Sequence, residues 1–266
     1  MKKSLAILAA LAVLAIPAAA QADRAWMLPS STSLSGDEEW ITIDAGMSDN
    51  LFVADHAAMR LDNLVITAPD GSTVPPENMT RGRYRSTFDV HLTQPGTWKI
   101  ANVTSGMNVR YVLNGVEGRW RGPASDFPTA IPAGAADVQA TFNAHRIETF
   151  VTLGAPTDTV FVPTGAGLEL VPVTHPGDLA AGETAQFKLL KDGQPAAGLT
   201  VTIGRGGARY RDALEDMTAV TDGDGVVSVT WPEAGMYWLN AVLRSEAAGS
   251  TPATVAQYSG VVEVLP

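Results

Sequence analysis

Turn-forming residues divide this chain at short intervals, and this rhythm constrains its fold more than any other feature. The 266 residues include 25 glycines and 17 prolines, which are spread along the whole length. Between them lie short runs rich in β-branched and aromatic residues, namely 40–45, 64–67, 97–101, 149–153 and 226–231. Several runs alternate apolar and polar residues, which is the pattern of a strand with one face in water. The sequence therefore predicts an all-β protein.

Asn-Gly and Asp-Gly dipeptides mark the tightest of the expected turns. They occur at residues 70–71, 114–115 and 192–193, and Asp-Gly-Asp-Gly occupies residues 222–225. These dipeptides tolerate the positive φ that tight turns require. The last of them lacks the further spaced acidic ligands of a calcium loop, so we expect a hairpin turn there. Helix should be minor, and we expect one short turn of helix at residues 135–140.

The chain divides near residues 154–168, where glycine and proline are frequent. About seven predicted strands follow in roughly 100 residues, which is the size of an immunoglobulin-like sandwich. The preceding half repeats part of the same order of turns and strands. We therefore predict two immunoglobulin-like β-sandwich domains, residues 23–165 and 166–266.

The first 22 residues have the pattern of a cleaved secretory signal peptide. Two lysines at positions 2 and 3 precede an apolar run over residues 5–20, and Ala20-Gln21-Ala22 is a small-x-small cleavage site. We expect the mature protein to begin at Asp23 and to be located in the periplasm. No later apolar run approaches the roughly 20 residues that span a bilayer, so the mature chain is expected to have no transmembrane segment.

Charge and composition limit the classes of function. The formal net charge is −10, with 28 acidic and 18 basic side chains. Binding a polyanion requires clustered lysine and arginine, so nucleic acid is not expected as a partner. The chain has no cysteine, which excludes thiol nucleophiles, iron–sulfur clusters and stabilisation by disulfides.

Motifs of catalysis are missing from the sequence. It contains no Gly-x-Ser-x-Gly nucleophile elbow, and residues 204–207 (Gly-Arg-Gly-Gly) lack the Gly-Lys-Ser or Gly-Lys-Thr of a phosphate loop. We therefore predict a protein without enzymatic activity.

Four segments, in the same order, carry a resemblance to a known family. They are residues 24–30 (Arg-Ala-Trp-Met-Leu-Pro-Ser), 84–88 (Tyr-Arg-Ser-Thr-Phe), 148–154 (Glu-Thr-Phe-Val-Thr-Leu-Gly) and 168–172 (Leu-Glu-Leu-Val-Pro). With them the chain resembles, from Asp23 to Leu265, the exported bacterial proteins of the DUF4198 family, a domain of unknown function. Some members are described as nickel-uptake accessory proteins of the NikM type. The resemblance implies a periplasmic β-sandwich protein linked to transition-metal acquisition.

One departure from the family pattern concerns the amino terminus. Family members commonly place a histidine directly after the cleavage site, where its imidazole and the free amine could bind a metal ion together. This chain has Asp23 and Arg24 there. The departure weakens that site, and Asp23 remains a candidate ligand through its amine.

Acidic residues beside histidines are the other candidate metal ligands. Asp55 and His56 are adjacent in an expected loop, whereas Asp89 and His91 are two residues apart in a predicted strand and therefore share a face. Imidazole with carboxylate partners suits a transition-metal ion, and nitrogen-rich sets suit copper, nickel and zinc; nickel, cobalt or iron is what the family resemblance implies. Both pairs are also typical of ordinary polar surfaces, so the metal role is a hypothesis.

The basic and aromatic segment from Arg110-Tyr111 to Arg119-Trp120-Arg121-Gly122 is the most unusual surface candidate. A tryptophan flanked by arginines can anchor a protein interface or stack on a sugar ring. Alternatively, Trp120 closes the end of a sandwich while Arg119 and Arg121 extend into solvent.

Together these features predict a periplasmic, non-enzymatic accessory or binding protein linked to uptake of nickel, cobalt or iron. Its expected partners are a membrane transporter component and a metal ion or metal chelate. The alternative is an envelope module that binds another protein or a glycan without metal.

Overall fold

The computed structural model describes residues 24–266, and nearly all regular structure in this range is β-strand. The predicted signal peptide and Asp23 lie outside the described residues. Within residues 24–266, no helix has both the length and the apolar character needed to cross a membrane. One short α-helix and three 3₁₀ turns accompany the strands: α1 Phe127–Ala130, Thr159–Phe161, Pro176–Asp178 and Ala208–Tyr210.

The strands vary widely in length, and the two longest have 18 residues each. In chain order they are β1 Arg24–Pro29, β2 Ser33–Leu34, β3 Glu39–Ser48, β4 Ala57–Ala58, β5 Leu64–Thr67, β6 Thr73–Val74, β7 Glu77–Arg81, β8 Arg85–Leu92, β9 Gly96–Leu113, β10 Val116–Gly122, β11 Ala136–Leu153, β12 Leu168–Pro172, β13 Thr184–Lys191, β14 Gln194–Pro195, β15 Thr200–Arg205, β16 Met217–Val220, β17 Val226–Thr230, β18 Gly235–Ser245 and β19 Ala253–Val264.

The first half of the chain packs a five-stranded sheet on part of a ten-stranded sheet. The smaller sheet has the order β1-β3-β8-β7, with β4 paired to β3. It faces β5, β9 and β11 of the larger sheet, and the apolar side chains of both fill the space between them. Members of this first core include Met27, Ile43, Phe88, Trp98 and Val151.

The second half packs a four-stranded sheet on the remainder of the ten-stranded sheet. The smaller sheet contains β12, β13, β14 and β17, and it faces β15, β18 and β19. Trp231 lies at the centre of this second core, where it contacts Phe187 edge-to-face with ring centroids 6.3 Å apart. Tyr237 also packs on Trp231, with ring centroids 4.9 Å apart.

One ten-stranded sheet runs through both halves. β11 from the first half pairs in parallel with β19 from the second, over residues 141–149 and 253–261. Side chains alternate between the faces of a sheet, and this register places even-numbered residues of both strands on one face. Tyr258 on that face belongs to the second core, whereas Ile147 and Val151 on the other face belong to the first. The two smaller sheets therefore cover opposite faces of the shared sheet.

A third apolar cluster joins β1 to the second half. Trp26 and Leu51 pack against Trp238 and Val261. The indole N–H of Trp238 donates to the Ala25 carbonyl oxygen at 2.9 Å. Arg24, the first described residue, adds two interactions to this contact. Its guanidinium lies 5.2 Å from the Trp238 ring centroid, and it forms a bidentate ion pair with Asp216.

The all-β prediction is confirmed, and the sheets pack as immunoglobulin-like sandwiches. The five strand-forming runs named from the sequence all overlap observed strands. The first and second cores fall on either side of the predicted boundary, while the shared sheet crosses it. The division into domains 23–165 and 166–266 stays a prediction.

The short helix predicted at residues 135–140 is wrong. Residues from Ala136 onward belong to β11, and Ala136 pairs with Val112 of β9. The ladder has a register shift between Ala136 and Gln139, where Asp137 adopts a φ of 51°. A bulge of this kind interrupts the apolar alternation that marks a strand in the sequence. Pairing with a long neighbouring strand thus overrides a weak local preference.

The turn at residues 222–225 is real, but it does not form a hairpin within one sheet. It connects β16 of the ten-stranded sheet to β17 of the four-stranded sheet. The Asp222 carboxylate accepts hydrogen bonds from the backbone N–H groups of Asp224 and Val226, both at 2.9 Å. The acidic side chain therefore stabilises the turn itself.

Replacing Trp238 tests the contact between β1 and the second half. Trp238→Ala removes a ring that is 5% exposed, together with its hydrogen bond to Ala25. We expect the free energy of unfolding to fall by about 3–5 kcal/mol, measured by urea denaturation. Trp40→Ala is the control, since that ring is 48% exposed, and it should cost less than about 1 kcal/mol. Equal losses in the two variants would contradict this account of the contact.

Candidate functional site

Strands β9, β10 and β11 continue past the first core and form a three-stranded projection that we call the arm (residues 104–142). Where β9 pairs with β5, its residues are mostly buried, but most residues between 110 and 140 are exposed or half-buried. β10 pairs with β9 alone and is therefore an edge strand. The arm therefore has a larger share of exposed residues than the sandwiches do.

The hairpin between β9 and β10 is dictated by two residues. Asn114 and Gly115 form a two-residue loop, with φ values of 51° and 78°. Positive φ at both positions is typical of a type I′ turn, whose twist matches that of the flanking strands. The turn sets the register that pairs Val116 with Leu113 and continues to Gly122 opposite Met107.

One face of the arm is covered by aromatic rings that lie over glycines. A Cβ atom at Gly118 would come within 2.4 Å of the Tyr111 ring, and one at Gly122 within 2.5 Å of the Trp120 ring. Only glycine permits such close approach of a ring to a strand. Trp120 also stacks with Phe127 of α1 at a centroid distance of 6.4 Å. Trp120 is therefore held half-buried in one orientation.

The opposite face of the arm carries three exposed arginines. The register places Arg119 directly across from Arg110, while Arg121 lies two residues further along the same edge strand. Within residues 24–266, no ion pair joins any of these three guanidinium groups to a carboxylate. Like charges directly opposite each other destabilise a strand pair. Glu117 lies on the same face, two residues before Arg119, so β9 and β10 present three arginines and one glutamate there, a net positive patch in an acidic protein.

The predicted partner-binding residues Arg119, Trp120 and Arg121 are therefore brought together on an edge strand. Arg119 and Arg121 share a face, and Trp120 points to the other. Trp120 packs on the arm itself, so it does not close the end of a sandwich core. Sequence analysis included Arg110 in this basic, aromatic segment, but its position directly opposite Arg119 follows only from the register of the hairpin.

Asp89 and His91 lie on the outward face of the five-stranded sheet, as their spacing predicted. Asp89 accepts hydrogen bonds from Thr42 at 2.6 Å and from Asn78 at 2.9 Å. These two bonds, led by that from Thr42, lower the pKa of Asp89. The carboxylate is therefore already bonded within the sheet.

His91 has two neighbours on the same face. Its Nε2 atom lies 2.5 Å from the Glu38 carboxylate, and its ring stacks on Trp40 with a centroid distance of 4.1 Å. Glu38 and His91 together present an oxygen and a nitrogen atom, which the sequence analysis did not pair.

The other predicted ligands lie in a loop after β3. Asp55 accepts a long hydrogen bond of 3.4 Å from Asn50, and His56 follows it directly. In the described part of the chain, no three or more histidine, aspartate or glutamate side chains are grouped so that they could hold a metal ion. Asp23 lies outside the described residues. The metal site thus stays a hypothesis.

A buried cluster of charged residues lies where the two halves meet. Arg146 of β11 donates to Glu148 at 3.0 Å and to the Thr164 hydroxyl at 3.0 Å, and it lies 3.3 Å from Glu169 of β12. Burial raises the pKa of Glu148. Burial also opposes ionisation of Glu169, but hydrogen bonds from Thr164 and Gly165 outweigh it and lower the pKa of Glu169.

A groove of about 450 Å³ opens beside this cluster. Its walls are mostly apolar and come from both halves, with Val103, Phe142 and Ala144 on one side and Leu168 and Ala256 on the other. The volume is that of a small-molecule site. No spacing in the sequence indicated it, because its lining residues are scattered between Val103 and Gln257 and meet only in the fold.

His145 is directed away from the charged cluster. It occupies the opposite face of β11 from Arg146, and its Nε2 atom is 3.0 Å from the Ser259 hydroxyl. Burial lowers the pKa of His145 from 6.5 to about 4. The ring is therefore neutral near pH 7.

The lowered pKa of His145 predicts a loss of stability in mild acid. Below pH 6.5 the unfolded chain binds a proton at this position, whereas the folded chain binds it only near pH 4. Stability should therefore fall as the pH decreases across this interval, by up to about 3 kcal/mol from this group. His145→Gln should flatten the dependence in urea denaturation at several pH values, and His91→Gln should retain it. An unchanged slope in His145→Gln would refute the assignment.

Comparisons with known proteins identify the family and leave the function open. No curated protein matches the chain. The D0-D1 domain of Intimin is 16% identical, over 90% of this chain and 97% of that chain, with a TM-score of 0.23. Trypsin-activated alpha-2-macroglobulin from Escherichia coli is 14% identical over 92% of this chain, with a TM-score of 0.22, and the match spans only 16% of its length. Scores this low carry no functional argument. The family model "Domain of unknown function (DUF4198)" matches residues 20–245, and the chain belongs to this family.

Proposed function

We propose that this protein is an exported, non-enzymatic accessory module of the bacterial envelope, which binds a partner through its arm. The observation that carries the proposal is the composition of edge strand β10. It presents a tryptophan held in one orientation, and on its other face two arginines that have no ion-pair partner within residues 24–266. Tryptophan and arginine are the residues that contribute most often to protein interfaces.

Charge supports a binding role for this surface. The chain has a net charge of −10, yet Arg110, Arg119 and Arg121 lie together without a carboxylate partner in the described structure. Repulsion between Arg110 and Arg119 costs the hairpin stability. A partner that supplies negative charge would relieve this repulsion when it binds, and it would be attracted from a distance.

The contacts of Trp120 favour a protein over a glycan as the partner. A sugar stacks on the open face of an aromatic ring. The Trp120 ring lies over Gly122 and also stacks with Phe127, and these contacts occupy much of its surface. The half-buried ring keeps only part of its surface accessible, which suits contact with a polypeptide.

The leader pattern supports a periplasmic location. Residues 1–22 combine the lysines, the apolar run and the small-x-small site of a cleavable signal peptide. We therefore propose that the protein acts in the periplasm after its leader is cleaved between Ala22 and Asp23.

Loss of a partner on substitution of Trp120 tests the proposal. The tagged protein is recovered from its native periplasm after chemical cross-linking, and bound proteins are identified by mass spectrometry. We expect Trp120→Ala to reduce recovery of the main partner by about tenfold, which corresponds to about 1.4 kcal/mol. Trp40→Ala should retain the partner, because this exposed tryptophan lies on β3 of the five-stranded sheet and not in the arm. Equal recovery with both variants would refute the role of the arm.

A more specific proposal names the partner as a component of a transporter for nickel, cobalt or iron. It is supported by the resemblance to the NikM type and by one observation in the structure. Glu38, which directly precedes β3, contacts His91 on the outward face of the five-stranded sheet. A carboxylate and an imidazole are suitable ligands for these ions.

Calorimetry tests direct metal carriage. If the metal-stripped protein carries the ion itself, nickel or cobalt should bind at micromolar concentration, and His91→Ala should weaken binding by about tenfold or more. His175→Ala is the control, because His175 is bonded to Thr97 and Gly177 away from this face. If nickel, cobalt, copper, zinc and iron all fail to bind at micromolar concentration, direct carriage is wrong.

A further inference from the structure

We infer that β10 receives an acidic, extended segment of the partner protein as an added antiparallel strand. This inference rests on the proposed function, since it names the kind of partner that the arm binds and the way in which it binds. Its basis is the combination of a free sheet edge with a row of arginines on that same edge.

The edge of β10 is available for strand addition. β10 has seven residues and pairs only with β9, so its other side has no strand partner in the described chain. Its pairing with β9 is regular from Val116 to Gly122, without a bulge. Unpaired backbone groups on a regular edge are a template for another strand.

The turn determines which residues face the free edge. A two-residue type I′ turn is closed by a hydrogen-bonded pair, here Leu113 and Val116. Hydrogen-bonded and non-hydrogen-bonded pairs alternate along an antiparallel ladder, so the even-numbered residues of β10 bond to β9. The backbone N–H and C=O groups of Glu117, Arg119 and Arg121 consequently point outward.

The same residues supply the side-chain chemistry. In an added antiparallel strand, the residue that exchanges backbone hydrogen bonds with Arg119 has its side chain on the face of Arg119. The next residue on that face lies opposite Arg121. Carboxylates at these alternate positions would form ion pairs with both arginines, and the one opposite Arg119 would also relieve its repulsion with Arg110.

An acidic partner can neutralise more of this surface than a second copy of this chain. A second copy has only Glu117 on the face of Arg119 and Arg121, so it can neutralise only one of the two arginines. Antiparallel pairing of two β10 strands centred on Arg119 pairs each Arg121 with Glu117 of the other copy, but it places the two Arg119 side chains opposite each other, with an Arg110 beside each. Four guanidinium groups would then lie together.

A second edge strand in the described structure offers a comparison. β7 also ends its sheet and carries Arg81, but its ladder with β8 has a register shift between Glu77 and Thr80. Bulges of this kind protect an edge from strand addition. Changes of charge at β7 therefore serve as a control, because its edge has a bulge that disfavours addition of a strand.

Binding of a designed peptide tests the inference. The probe is a fluorescently labelled peptide that alternates glutamate and valine, and binding to the purified full chain is followed by anisotropy. We expect saturable binding that weakens as the salt concentration rises from about 50 to about 500 mM. The same peptide with lysine for glutamate should not bind. A peptide of the same composition with its glutamates in one block should bind at least about tenfold more weakly.

Reversal of charge provides the matched variants. Arg119→Glu/Arg121→Glu should weaken binding of the glutamate peptide by at least about tenfold and should create binding of the lysine peptide. This gain shows that the variant is folded. Arg81→Glu/Arg83→Glu makes the same change of net charge at the last residue of β7 and two residues after it, and should alter binding less than about twofold. An equal loss in both double variants would mean that net charge alone acts, and the inference would fall.

Backbone methylation separates strand addition from simple attraction of charge. The glutamates of the added strand exchange backbone hydrogen bonds with β10, so N-methylation at the glutamates should abolish binding. N-methylation at the valines, whose N–H groups face away, should leave it unchanged. Equal binding of both methylated peptides would overturn strand addition.

Two further outcomes distinguish this inference from the proposed function. If Trp120→Ala loses the native partner but no glutamate peptide binds, the arm is a docking site and strand addition is wrong. If the protein instead dimerises with rising concentration and Arg119→Glu/Arg121→Glu abolishes the dimer, the second copy is the occupant and an acidic partner is wrong. Light scattering measures this oligomeric state.

Discussion

The parallel pairing of β11 with β19 is the interaction on which the rest of the structure depends. Through it, strands from both halves form one sheet, and each smaller sheet covers one face of it. β11 contributes Ile147 and Val151 to the first core, while its opposite face carries Arg146 and Glu148 towards the second half. The far end of the same strand forms part of the arm. One strand therefore connects the two cores, the buried charges and the candidate binding surface.

A chain without cysteine must hold this arrangement by packing. The described structure does so with large aromatic residues at the points of greatest constraint. Trp231 fills the second core, Trp98 fills the first, and Trp26 with Trp238 joins β1 to the second half. In the arm, the rings of Tyr111 and Trp120 pack over Gly118 and Gly122, and Met107 and Val109 are buried. This packing keeps an exposed projection ordered.

Charge is used in two different ways at the junction of the two halves and in the arm. At the junction, Arg146 is buried and compensated by Glu148 and Glu169, which links β11 to the segment that leads into β12. Buried ion pairs contribute little net stability, because desolvation offsets most of the attraction. Their effect here is to fix the course of the connecting segment through Thr164. In the arm the arginines are exposed and uncompensated, so they remain available to a partner.

Much of the local structure could be predicted from the sequence. Runs such as 64–67 became strands, Asn114-Gly115 became a tight turn, and the spacing of Asp89 and His91 placed both on one face. These features depend on a few neighbouring residues. The helix expected at residues 135–140 was wrong because pairing with β9 outweighed local preference, and the turn at 222–225 joined two sheets instead of two paired strands.

The sequence by itself determined the β-rich class, the turn positions, the family and the presence of an Arg-Trp-Arg segment. Only the tertiary structure decided that Arg110 opposes Arg119, that β10 is an edge, that Glu38 meets His91 and that both halves share a sheet. The reason is physical. Alternation of apolar residues records which face of one strand is buried, whereas the choice of neighbouring strand depends on burial and register between segments far apart in the chain.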